Sequence, residues 1–61
     1  ISFDGTNVTA AGCEIEIFSL QGVAMARGLE SVATDNLATG LYIVLARDND
    51  GNTATRKISV R

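Results

Sequence analysis

Apolar and polar residues alternate with a period of two along most of this chain, the spacing of strands that bury one face and wet the other. Cys13-Glu14-Ile15-Glu16-Ile17 is the clearest case, with Cys13, Ile15 and Ile17 on one face and both glutamates on the other. Leu20-Gln21-Gly22 supplies a turn in which Gly22 is free to take the positive φ of a tight hairpin, and residues 23–27 return as a partner strand that Gly28 ends. Residues 31–34 form a weaker strand, and 35–40 a polar connection closing on Gly40. Residues 41–47, dense in branched and aromatic side chains, make the strongest strand, and Thr53–Val60 answers it across Asp48-Asn49-Asp50-Gly51-Asn52. Residues 1–3 and 7–10 add two short strands at the front. No helix is expected, because the one window that could hold it, 23–30, is bracketed by Gly22 and Gly28.

About five to seven short strands with turn signals every ~8–12 residues predict an all-β fold, a small antiparallel immunoglobulin-like β-sandwich. In the 41–47 strand, Tyr42, Val44 and Ala46 share one face and Leu41, Ile43 and Leu45 the other, so both faces are apolar. One of them is core. The other needs a second sheet, a loop or a partner, and internal cover is the expectation. The chain has no proline, a residue that often guards exposed strand edges, so an open edge and a tendency to dimerise or exchange strands follow.

Composition narrows what such a fold can do. At 61 residues the chain is a single domain, and folding at this size buries only about 60% of the surface the unfolded chain exposes, which leaves no deep pocket. Five basic and seven acidic residues give a formal charge of −2, without the basic surplus of a nucleic-acid-binding face. Only the last segment is basic, where Arg56, Lys57 and Arg61 follow the final acid, Asp50. No apolar run reaches the roughly 18–20 residues of a membrane helix, and the first residues lack the regions of a secretion signal. A fragment or processed domain of a larger protein is expected, with its basic strand at the edge of the folded unit as a handle for another protein.

Candidate chemistry is sparse. Asp48, Asp50 and the following Gly51 resemble the first half of a calcium loop, but no acid follows Asp50 to close it, and an Asp-Gly hairpin turn explains the same residues. Cys13 has neither a histidine nor a second cysteine with which to build a nucleophile or metal site, and reads as a small apolar packing residue. Asn7-Val8-Thr9 is formally a glycosylation sequon. Glu14 and Glu16 share the open side of a strand rather than a cleft, so no catalytic residue, cofactor or metal is expected.

Four blocks in order resemble a known family: Ile15-Glu16-Ile17-Phe18-Ser19-Leu20-Gln21-Gly22, Leu37-Ala38-Thr39-Gly40-Leu41-Tyr42-Ile43-Val44, Asp50-Gly51-Asn52 and Arg56-Lys57-Ile58-Ser59-Val60-Arg61. Their order and spacing are similar to the C-terminal sorting domain of the type IX secretion system of Bacteroidota. Ser19 stands where that family usually has an aspartate, and Val23 where a basic residue is common. The resemblance implies an immunoglobulin-like β-sandwich that is a non-catalytic secretion signal. Such a domain directs its cargo through the periplasm and across the outer membrane to the cell surface or medium. The implied partners are the type IX translocon, its outer-membrane shuttle component and a sortase-like peptidase that removes the domain. Carried over by position, Gly40, Tyr42, Gly51, Lys57, Ile58 and Val60 match the recurrent residues of the family, and Arg61 completes the strand tied to recognition.

The residues have physical roles independent of that likeness. Gly40 lets the chain turn into the next strand, and Tyr42 can bury its ring while its hydroxyl stays near the surface. Alternation sends Ile58 and Val60 inward and Lys57, Ser59 and Arg61 outward. The competing reading is an accessory sandwich module that spaces a larger protein or binds a surface glycan. Sugar stacking would draw on exposed aromatics, and the chain offers only Phe3, Phe18 and Tyr42.

Overall fold

The computed structural model describes all 61 residues. They form five strands and no helix: β1 (Ser2–Phe3), β2 (Asn7–Ser19), β3 (Ala24–Ala33), β4 (Gly40–Arg47) and β5 (Thr53–Val60). All pairings are antiparallel, which establishes the expected all-β class. β2 is the spine. Its residues from Glu14 to Phe18 pair with β3 and with β4 at once, so those two strands flank it on opposite sides, and β1 joins β2 at Val8 and Thr9. β5 continues the sheet beyond β4. This makes β1, β3 and β5 edge strands, each paired along one side only.

A single sheet encloses a core here because it bends. Between Thr9 and Glu14 the β2–β3 register slips, and Ala10 to Cys13 stand opposite Glu30 alone. Gly12 and Glu30 take positive φ values of 73° and 65°, and the Gly12 N–H donates to Glu30 Oε2 at 2.9 Å. Bulges of this kind sharpen strand bending and twist. As a result Val8, Ala10 and Val32, from one side of the bend, join Ile15, Ile17, Tyr42, Val44, Ala46, Ile58 and Val60, from the other, in one buried cluster. Thr34, the one buried polar residue, donates its hydroxyl to the Thr6 carbonyl at 3.0 Å, so the core holds no unpaired side-chain polar atom.

Three sequence expectations change. The separate strands at 7–10 and 13–17 are the two limbs of β2, and 23–27 with 31–34 are largely the two limbs of β3; the bulge bends the ladder without breaking it. Thr34 lies just past β3. Gly28 does not end a strand: it lies within β3, where a Cβ would sit 2.9 Å from the Ser31 carbonyl oxygen and 3.0 Å from Val32 Cγ2, so its role is to admit the close approach of Ser31 and Val32 at the bulge. The second face of β4 is not covered internally either. Leu41 is exposed and Ile43 and Leu45 are half-buried, because the bend closes the sheet over the Tyr42–Val44–Ala46 face alone.

Candidate functional site

The β4–β5 hairpin carries most of the residues singled out in the sequence. Its ladder runs from Gly40 opposite Val60 to Arg47 opposite Thr53 without a register slip, in contrast to the bulged β2–β3 pair. The loop is held by Asp48, whose Oδ1 accepts the N–H groups of Asp50 and Asn52, both at 2.9 Å, while Oδ2 accepts from Asn52 Nδ2 at 3.1 Å. Gly51, at φ 85°, makes the turn possible and donates its N–H to the Asp48 carbonyl. Hydrogen bonding, led by the Asn52 side chain, holds the Asp48 carboxyl below its ordinary value. Both oxygens are occupied in shaping the loop, so Asp48 is a turn residue before it is a ligand. Asp4 plays the same part at the β1–β2 turn, where the Thr6 and Asn7 N–H groups keep its carboxyl low.

Ile58 and Val60 point into the core, whereas Lys57, Ser59 and Arg61 are exposed, as alternation requires. Tyr42, opposite Ile58, is 6% exposed and donates its hydroxyl to the Ala38 carbonyl at 2.6 Å. That contact pins the connection before β4 against the strand it leads into. Gly40, at φ 155°, begins β4 opposite Val60. The singled-out residues therefore divide. Gly40, Tyr42, Ile58 and Val60 build the end of the hairpin, Lys57 and Arg61 face outward from it, and Gly51 sits at the opposite end of the strands.

A shallow groove of about 430 Å³ runs along β5 from Arg56 to Ser59 and on to Arg61, with Phe3 and Gly5 forming its other wall. Arg56 ties the two walls together, its Nη1 donating to the Ile1 carbonyl at 3.1 Å. Sequence reasoning passed over Arg56 as a site residue, together with Phe3 and Gly5. The available signal was parity: Arg56 shares the inward side of β5 with Ile58 and Val60, and an inward arginine near a strand edge must reach for an acceptor. What sequence spacing could not show is that the bend in β2 carries β1 toward β5.

The groove is electropositive. The chain's single ion pair joins Arg27 to Glu16 at 3.8 Å, between β2 and β3 and away from β5, so Arg56, Lys57 and Arg61 have no carboxylate within 4.0 Å. No acidic residue occurs between Thr53 and Arg61. Cys13, half-buried, packs against the core and directs its thiol at the Ala11 carbonyl, 3.6 Å away. No family model, curated protein or solved structure matches this chain. The geometry alone offers a regular edge strand, a groove along it and three cations without a carboxylate partner, an arrangement suited to holding another chain.

Proposed function

We propose that this domain is a non-catalytic sorting signal of the type IX secretion kind, which directs an attached cargo through the periplasm and across the outer membrane. In this reading the translocon and its shuttle component grip the β4–β5 hairpin, and a sortase-like peptidase later removes the domain. The ordered sequence blocks motivate the proposal. The single observation that carries it is an uncovered, bulge-free β5 whose outward Lys57, with Arg61 just past the strand's end, has no carboxylate partner within the domain. Gly40 and Tyr42 then act as supports that fix the hairpin, and Ile58 and Val60 as its anchors in the core.

Fusing this chain to the C-terminus of a periplasmic reporter in a type IX-competent host should bring the reporter to the cell surface. Because deletion of 57–61 also removes the core residues Ile58 and Val60, the decisive variant is Lys57→Glu with Arg61→Glu, which alters exposed groups only. Retention of that folded variant in the periplasm is the expected result. Surface export equal to the parent chain would overturn the reading, and a reporter that never leaves the periplasm with either chain would favour the accessory-module alternative.

A further inference from the structure

We infer that the free edge of β5 binds an extended acidic peptide as an added antiparallel or parallel strand. The inference uses the same strand as the sorting reading but not its conclusion, and is tested on the purified domain without any export machinery.

Four observations converge. β5 is paired on one side only, so its other side presents unpaired N–H and C=O groups along Thr53–Val60. Its ladder to β4 has no slip and the chain has no proline, so neither of two common devices against strand addition is present. A groove already follows this edge, with Phe3 and Ile58 giving it apolar surface and Gly5 leaving room at its rim. Finally, its charged groups, Arg56, Lys57 and Arg61, are all cationic and without a carboxylate partner.

Charge decides the occupant. A second copy pairing β5 with β5 across a two-fold axis would bring one cationic set against another, which is destabilising for facing pairs. An acidic strand relieves that charge. Lys57 lies on β5 and Arg61 one residue past its end, four positions on with the same parity, about 13 Å away at the usual strand rise, so a partner with two carboxylates four residues apart matches them in register. Phosphate backbones are a poorer fit, because they carry no peptide N–H and C=O groups to pair with the free edge of β5.

The test is titration calorimetry with capped peptides of about eight alternating valine and threonine residues, carrying two glutamates four apart, two lysines four apart, or the glutamates with alternate backbone amides methylated. Amide exchange of β5 is followed by NMR in parallel. The glutamate peptide should bind about tenfold or more tighter than the lysine peptide, slow exchange at the free-edge amides of β5, and lose affinity on methylation and in high salt. Lys57→Glu with Arg61→Glu should reverse the preference toward the lysine peptide. Equal affinity for the two charges, undiminished binding of the methylated peptide, protection confined to β3, or a β5-mediated dimer that excludes the peptide would each overturn the inference.

Discussion

Ile17 and Tyr42 show how unequally single residues carry this fold. Ile17 is fully buried at the join between β2, β3 and β4. Its replacement by alanine should cost about 2–5 kcal/mol, comparable with the whole stability of a domain at the low end of the usual ~5–15 kcal/mol. Denaturant titration should therefore find Ile17→Ala mostly unfolded in water. Tyr42→Phe keeps the ring in the core and forfeits only the bond to the Ala38 carbonyl, so a loss of roughly 0.5–1.5 kcal/mol is expected. A drop as large as that of Ile17→Ala would show that the hydroxyl organises the 34–40 connection as a whole. The turn carboxylates add a pH dependence. Asp4 and Asp48 both titrate below 3.8 in the folded chain, so they stabilise it above that value, and the contribution disappears as pH falls through their lowered values. Melting temperatures taken between about pH 2 and 6 should fall less steeply on the acid side for Asp48→Asn, which retains the side-chain shape without the charge.

The bend in β2 is where sequence and structure part. The alternation of Cys13 to Ile17 and of Leu41 to Ala46 makes β2 and β4 legible, since period two with branched residues has few other solutions. Gly22 and Gly51 are legible as turns for the same local reason. Gly28 misleads, because a glycine between two alternating runs reads equally well as a break or as a bulge, and only the partner strand distinguishes them. The groove is illegible for a related reason: it exists because the bend carries Phe3 and Gly5 to within reach of Arg56, whose side-chain hydrogen-bond partner is 55 positions away in sequence. The element-scale prediction concerns Gly28. Gly28→Ala places a methyl against the Ser31 backbone, which cannot yield as a flexible side chain could, and should cost about 1–3 kcal/mol by chemical denaturation. Glu30→Val tests the opposite limb of the bend, because a branched residue is strained at φ 65° and cannot accept the Gly12 N–H. A neutral result for both would mean that the β2–β3 ladder can straighten without loss.

At the scale of the whole molecule two surfaces respond to salt with opposite sign. The outer face of the sheet carries Leu29, 75% exposed, Leu41, 47% exposed, and between them the half-buried Phe18, Ile43 and Leu45. The register places all five on one side, since Leu29 lies opposite Glu14, Glu14 opposite Arg47, and Phe18 opposite Ile43. Apolar patches of this sort drive self-association, which sulfate strengthens because it is excluded from protein surface. Attraction at the β5 edge is between charges, and sulfate weakens it by screening. Sedimentation velocity at high protein concentration should therefore show association that grows with sulfate. Leu29→Lys with Leu41→Lys should abolish it, with little change in stability, because both side chains are already largely in water. Lys57 borders that patch opposite Ile43 but adds no apolar surface to it, so Lys57→Glu should change the association far less than the leucine substitutions while impairing the acidic-peptide site. If instead Lys57→Glu raised self-association and the leucine substitutions did not lower it, β5 would be the adhesive edge, with its cations serving chiefly to keep copies of this chain apart.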